Sequence, residues 1–503
     1  MSPHTWAATA TITALAGLSG VVSAPAPDRY HRQPITWRAC ATDPADELGT
    51  LLDQAGVQCA GVTVPMDYRR PAGRTITIEI SRLKAPDATR RRGVLLINPG
   101  GPGATGIQQV LLGKKVPALA ERYDLVGMDP RFVGRSTPIR CRWQTDTFLR
   151  SAGPDRRSFD AGVALARRLA EGCARDDRSA LPYASTRNTA RDMDVIRSAL
   201  GERKLSYLGY SYGTYLGATY LQMFGAHADR VVLDSAVDPE TYGPRLLRHN
   251  APALEAALRR WAAWVAGRDG EYGLGATVRE VRAAIDKITE KPVQVNGHWV
   301  DASVVPYWLF ARLYDDGPAE YAALAKEAAA LTGRTPPPAS LLEFLDGLFT
   351  GSGTAEDRAG TPILCADRAA PTNPELYYRD IQRHRAAEPL FGPLVRNISP
   401  CAFWPDTPVE PATRIANAVP ALIVGAAGDP ATPYAGQRAM HRALTGSRML
   451  TLIGSYRHGV YVSAGNRCVD TVVGRYLLDG VLPKADTSCT VSSARPAPPG
   501  SEQ

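Results

Sequence analysis

Lys204-Leu-Ser-Tyr-Leu-Gly-Tyr-Ser-Tyr-Gly-Thr-Tyr-Leu-Gly-Ala-Thr-Tyr-Leu-Gln-Met-Phe224 is the stretch whose reading decides the fold. Its apolar run, Leu205 to Leu208, has the length of a buried strand and stops at Gly209. A helical period then begins at once, with Leu216, Thr219, Tyr220 and Met223 on one face. Between the two lies Gly209-Tyr210-Ser211-Tyr212-Gly213, a G-x-S-x-G turn. Glycines on both sides let the backbone fold back sharply, which exposes the central serine above a sheet edge. The helix start behind Ser211 favours negative charge developing there. Five residues of this pattern arise often by chance in a Gly-rich chain. A strand before and a helix after make it a nucleophile turn rather than an ordinary strand-helix connection with a capping serine.

Working outward, the N-terminal side alternates in the same way. Val62 to Met66 and the strictly alternating Thr75 to Ser81 predict an edge hairpin. Gly93 to Asn98 is wholly apolar up to its last residue and predicts a central strand. It runs into Asn98-Pro-Gly-Gly-Pro-Gly-Ala-Thr-Gly106, where the backbone must approach something closely. Neither G-x-G-x-x-G nor G-x-x-x-x-G-K-[ST] is present, so a nucleotide phosphate is not what it approaches. A loop that offers backbone N–H groups to an oxyanion fits better. Tyr123 to Asp129 and Arg230 to Asp234 predict two more strands, and 158–175 and 188–200 predict helices, the second opening with a cap at Asn188. This alternation specifies a mostly parallel sheet covered by helices. From 240 to 400 the patterns are helical, broken by Arg334-Thr-Pro-Pro-Pro-Ala-Ser340, and their Trp and Leu stripes read as core. The alternation resumes at Ala421 to Val424 and Arg448 to Ile453.

A serine hydroxyl needs an imidazole to take its proton, and a carboxylate to hold that imidazole in the right tautomer. Asp429 follows the strand at 421–424 in a tight turn, and His458 follows the strand at 448–453 in a Gly-bounded loop. Order and strand-end position together select Ser211, Asp429 and His458. Asp234 is the rival acid, also at a strand end, although Asp-Ser-Ala-Val-Asp-Pro239 reads as the turn into the insertion. The expected oxyanion donors are the N–H of Tyr212 and one from the glycine loop, Gly101 first and Gly100 next.

Composition sets the remaining bounds. The 503 residues are 44% hydrophobic and 21% charged, as in a globular protein, and are long enough for a core with a large insertion or for two domains. The net charge of +8 comes from scattered arginine, without the clustered basic and aromatic stretch of a nucleic-acid binder. Residues 5–24 are uncharged and rich in Ala, Thr, Gly and Leu, and Ser23-Ala-Pro-Ala-Pro27 follows, so residues 1–26 are expected to be a secretory leader rather than an anchor. No later run is long and apolar enough for a membrane span. The eight cysteines, Cys40, Cys59, Cys141, Cys173, Cys365, Cys401, Cys468 and Cys489, lack C-x-x-C spacing and histidine neighbours. In an exported protein they read as four disulfides rather than a metal site. On the order of a hundred connectivities are possible; pairing neighbours in sequence (40–59, 141–173, 365–401, 468–489) keeps each loop local.

These residues carry a resemblance. Val62-Thr-Val-Pro-Met-Asp-Tyr68, Asn98-Pro-Gly-Gly-Pro-Gly103, Asp124-Leu-Val-Gly-Met-Asp-Pro-Arg131, the serine turn, Asp429-Pro-Ala-Thr-Pro433 and His458-Gly459 resemble secreted α/β-hydrolases of the tripeptidyl aminopeptidase group, the prolyl-aminopeptidase-like serine peptidases of actinomycetes. The match covers 60–240 and 400–490. It implies an α/β-hydrolase fold with a mostly parallel sheet, flanking helices and a helical cap. The patterns along the chain divide it into an expected leader at 1–26, core at 27–239, helical cap at 240–400, core at 401–490 and a disordered tail at 491–503. The resemblance also implies a Ser211–Asp429–His458 triad, no metal or organic cofactor, Thr432 near the site, and release of short peptides from free N-termini. Departures from the group's pattern are Ala104-Thr105 for Gly-Ser, and Phe132 and Ser235 where glycine is usual. An aminopeptidase must also hold an ammonium, for which Asp315, Asp316 and Glu320 on the cap are candidates. The same triad would serve an N-acyl or ester hydrolase acting on a small acylated metabolite. Peptide or acylated compound, the expected partner is a substrate and neither nucleic acid nor membrane.

Overall fold

Eleven short β-branched or aliphatic runs become strands in the computed structural model, which describes residues 28–141, 143–352 and 356–491. They are β1 Gln58–Pro65, β2 Thr75–Leu83, β3 Val94–Asn98, β4 Asp124–Met128, β5 Leu205–Tyr210, β6 Ala228–Asp234, β7 Val293–Val295, β8 His298–Val300, β9 Ala421–Ala426, β10 Ser447–Ile453 and β11 Thr487–Thr490. Nine form one sheet in the order β1-β2-β4-β3-β5-β6-β9-β10-β11. β1 and β2 pair antiparallel, β2 joins β4 antiparallel, and every pair from β4 through β3 to β11 is parallel. β3, β4 and β9 are buried along their whole length, which is why their sequences are apolar apart from Asn98 at the end of β3 and Asp124 at the start of β4. Helices cover both faces, and the chain has the α/β-hydrolase fold.

Parallel pairing puts the carboxyl ends of β3, β4, β5, β6, β9 and β10 on one edge, and the loops there are the ones the sequence singles out. Above them residues 240–400 fold into helices, chiefly Ala251–Ala266, Val278–Glu290, Val305–Arg312, Pro318–Leu331, Ala339–Thr350, Glu356–Asp367 and Pro374–His384. The first five share a core in which Leu254, Trp261, Val281, Ile285 and Leu309 pack together, whereas Glu356–Asp367 packs into the core of the sheet through Ile363, Leu364 and Cys365.

Several local expectations need correction. The helix after β4 that precedes the serine turn runs Thr186–Ala199, capped by the Ser185 hydroxyl rather than opened at Asn188, whose N–H that hydroxyl accepts. The insertion also contains the β7–β8 hairpin. β11 adds a strand to the sheet edge in the Pro/Ser/Ala-rich end, where pairing with β10 overrides a weak local propensity. The leader expected at 1–26 and the tail after Val491 lie outside the described residues. Cysteine sulfurs are joined 40–59, 141–173, 365–401 and 468–489. The third bridge ties a cap helix to the returning core, and the fourth holds β11. Among the described residues, no helix is long and apolar enough to cross a membrane.

Two buried carboxylates fix the loop after β4. Asp129 accepts N–H groups of Gly106 at 2.7 Å, Ile107 at 3.2 Å and Arg135 at 2.8 Å, so the glycine loop and the β4 loop share an anchor. Arg131 and Asp192 form a doubly bonded pair at 2.6 and 2.7 Å with neither side chain exposed. The Tyr68 hydroxyl adds a third bond to Asp192 at 2.7 Å. Replacing one partner of such a pair strands the other charge in the interior. Arg131→Met is therefore expected to lose about 3–5 kcal/mol of unfolding free energy in urea, and Asp192→Leu in the same chain to recover part of it. A loss below about 1 kcal/mol would mean that the pair behaves as a surface one.

Candidate active site

Ser211 has φ 54° and ψ −123°, a conformation L-residues seldom adopt, between β5 and the helix Tyr212–Phe224. The turn is held from both sides. Its N–H donates to the Asp234 carbonyl at 2.9 Å, and its carbonyl accepts the Thr214 hydroxyl at 2.6 Å. The flanking glycines are sterically required. A Cβ on Gly209 would stand 2.5 Å from the Gly213 carbonyl oxygen, and one on Gly213 would stand 2.7 Å from Asn98 Oδ1.

The glycine loop comes directly against this turn. A Cβ on Gly100 would lie 2.8 Å from the Ser211 Cβ and 3.3 Å from the Tyr212 nitrogen, and Gly100 has φ +109°. The Gly100 N–H, however, already donates to Asn98 Oδ1 at 3.0 Å, so Gly100 does not have a free donor to offer. Gly101 lines the same cavity as Ser211 and Tyr212.

The other two loops arrive beside it. Asp429 is fully buried, and the His458 ring meets its carboxylate through Nδ1, at 3.1 Å to Oδ1 and 3.0 Å to Oδ2. The same carboxylate accepts the N–H groups of Ala431 and Thr432, both at 2.9 Å, and the Thr432 hydroxyl at 2.8 Å. Thr432 thus sits between the acid and the imidazole, 3.4 Å from Nδ1, and lines the Ser211 cavity. Burial works against an imidazolium here. The charge and hydrogen bond of Asp429, with Asp234 behind, outweigh it and hold the His458 pKa above its ordinary value.

Asp234 has a different place. Its carboxylate accepts the N–H of Val460 at 3.0 Å and of Tyr461 at 2.6 Å, and so ties down the residues just after His458 rather than the ring. Burial pushes its pKa up to about 6 against those hydrogen bonds. Ser235 and Phe132 both have positive φ, at 58° and 70°, which accounts for glycine being usual at each. Ser235 gains something in exchange, because its hydroxyl accepts the Gly459 N–H at 2.8 Å.

The three cap carboxylates expected to hold an ammonium do not line the cavity. Asp316 accepts the Ser455 hydroxyl at 3.1 Å and the Tyr456 N–H at 2.6 Å, and Asp315 pairs with Arg457. Tyr314 completes the strap: its carbonyl accepts the His458 N–H at 2.6 Å and its ring stands edge-on to the imidazole, 5.1 Å away. From the residue just before the helix Ala251–Ala266, Asn250 donates to the carbonyls of Pro430 at 3.0 Å and Ala431 at 2.7 Å. The cap therefore grips both the acid turn and the histidine loop. No sequence spacing points to Asn250 or Tyr314, because each meets its partner across more than a hundred residues of chain.

Comparison with known proteins gives the family. A family model described as TAP-like protein matches residues 388–489, the segment that carries Asp429 and His458. The tripeptidyl aminopeptidase of Streptomyces coelicolor is 35% identical over 92% of this chain and 87% of its own length. Serine protease Hip1 of Mycobacterium tuberculosis is 30% identical over 91% of each chain, and carboxylesterase B of the same organism is 32% identical over 90% of this chain and 89% of its own. With that identity along nearly its whole length, on this sheet and around this serine turn, the chain belongs to the tripeptidyl aminopeptidase family of α/β-hydrolase enzymes.

Proposed function

We propose that the protein is a secreted serine peptidase that releases short peptides from the N-termini of its substrates through an acyl-enzyme. The observation that carries this is Ser211, held at positive φ on the wall of a cavity that Thr432, bonded to both Asp429 and His458, also lines. Ser211 Oγ attacks the scissile carbonyl while His458 Nε2 takes its proton. Asp429 keeps the ring proton on Nδ1 and stabilises the imidazolium. The oxyanion accepts hydrogen bonds from the N–H groups of Tyr212 and Gly101, worth roughly 3 kcal/mol each in the transition state. His458 then protonates the departing amine, and water enters by the reverse steps to free the acyl peptide. Export is supported by the four disulfide pairs together with the leader-like first residues.

The test is a panel of free-amine di- and tripeptidyl anilides, their N-acetylated forms, and N-acetyl amino-acid esters. Turnover of the free-amine peptides is expected. Turnover confined to the acylated compounds would make the enzyme a deacylase instead. The same substrates give the pH dependence. Only neutral His458 can accept the serine proton, and its pKa is raised, so the acid limb of kcat/KM is expected above about pH 6.5. A limb at or below that value would mean that Asp429 and Asp234 do not act on the ring as their positions imply.

A further inference from the structure

Several polar side chains of the Ser211 cavity are already committed. Its walls are apolar side chains such as Phe148, Val237, Leu246, Phe310 and Leu394. Tyr242 spends its hydroxyl on Asp367 at 3.1 Å, and Thr432 spends its own on Asp429. Asn397 donates to the Arg150 carbonyl at 2.8 Å and accepts the Ile398 N–H at 2.9 Å. No aspartate or glutamate is among the described residues lining the cavity; its charged residues are Arg150 and Arg245. Arg245 is paired with Asp380 at 3.2 Å.

Arg150 is not paired in this way. Its guanidinium donates to the Leu149 carbonyl at 3.0 Å, the Thr145 hydroxyl at 3.2 Å and the Leu348 carbonyl at 2.7 Å, all uncharged acceptors. Those bonds use three of the five N–H groups that a guanidinium carries. Burial pushes its pKa down to about 10, and the more distant Tyr307, Asp301 and Asp146 offset this only in part. Asp301 meanwhile accepts the N–H and the hydroxyl of Ser303. A second group points the same way. Ser399 is 3% exposed, lines the cavity, and its hydroxyl has no hydrogen-bond partner. Asn397 fastens the Ser399 segment to the Arg150 carbonyl, and Arg150 and Ser399 both line the cavity. A half-buried cation whose hydrogen-bond acceptors are all uncharged and a buried hydroxyl without a partner both cost free energy until an acceptor arrives.

We propose that this cavity receives the acyl half of a peptide carrying an aspartate or glutamate side chain, whose carboxylate accepts hydrogen bonds from Arg150 and Ser399. The inference rests on the serine-peptidase reading and adds the substrate class to it. An N-terminal ammonium, for which the walls hold no carboxylate, then lies outside the cavity. No chemistry beyond acyl transfer is required.

The test uses tripeptidyl p-nitroanilides in matched pairs, glutamate against glutamine, at each of the three acyl positions. With the wild-type protein, glutamate is expected to exceed glutamine in kcat/KM at one position by about 10- to 100-fold, the range of a charge-assisted hydrogen bond to a buried partner. Arg150→Met should erase that preference, bringing the glutamate-to-glutamine ratio of kcat/KM to about one. Ser399→Ala, a small change that leaves the Arg150 contacts intact, should reduce the preference several-fold and serves if the first variant does not fold. Glutamine equal to or better than glutamate at all three positions would overturn the inference while leaving the peptidase reading in place. So would a preference that both variants retain. A wild-type protein that a serine-reactive phosphonate labels but that cleaves none of the peptides would overturn both.

Discussion

Ser211→Ala is expected to lower turnover by a factor on the order of 10⁴ to 10⁶, with unfolding behaviour unchanged to within about 0.5 kcal/mol. The two halves of this expectation have separate causes. Activity falls because no other group is placed on the turn to form the acyl-enzyme, and what remains is binding and oxyanion stabilisation alone. Stability holds because alanine keeps a Cβ at the same φ of 54°, so the strain of the turn is neither relieved nor increased. Ser211→Gly would behave differently, since glycine adopts that conformation without penalty, and should be more stable by several tenths of a kcal/mol despite equal inactivity. The measurement is anilide cleavage with phosphonate labelling as a parallel readout. A pure Ser211→Ala protein with more than about one-tenth of wild-type turnover would remove Ser211 from the mechanism, because loss of a nucleophile is never that mild.

What the sequence made legible follows the reach of its signals. Strand and helix periods are local, so β3, β4, β5 and the helix after Ser211 could be read from runs of five to thirteen residues. The glycine loop was legible too, because its backbone approaches another chain segment and Cβ atoms are excluded there. Chain order singled out Asp429 and His458, which the structure brings into contact. The supports of the site were not readable in this way. Asp234 looked like a turn residue or a rival acid, and its carboxylate proves to hold the backbone after His458. Asp315 and Asp316 looked available for an ammonium, and they are consumed at the seam between cap and core. In each case the residue type was right for a ligand, and the deciding fact was a partner distant in sequence. Gln437 is similar: it is fully buried and donates to the Thr432 carbonyl at 2.8 Å, yet nothing in its helix marks it out.

The two acids should separate cleanly when each is replaced by asparagine. In Asp429→Asn the side chain can present an amide N–H to His458 Nδ1, which favours the tautomer with its proton on Nε2, where it cannot accept one from Ser211. The expected loss in kcat is about 10⁴-fold, near 5.5 kcal/mol of barrier. Asp234→Asn keeps a carbonyl oxygen that can still accept the Tyr461 N–H, now 2.6 Å from the carboxylate, so the histidine loop stays in place. What disappears is a negative charge that helps to raise the His458 pKa. The consequence is a modest fall in kcat, within about tenfold, together with a downward shift of the acid limb of kcat/KM. The direction of that shift is the informative part: removing a neighbouring carboxylate makes the imidazolium easier to deprotonate, so activity survives to lower pH even as the maximum declines. A purely structural role for Asp234 would reduce the amount of folded enzyme without moving the limb. If Asp234→Asn instead matched or exceeded the loss in Asp429→Asn, the roles would have to be exchanged. Asp234 would then orient the imidazole during turnover, and the contact between His458 and Asp429 would belong to a resting arrangement.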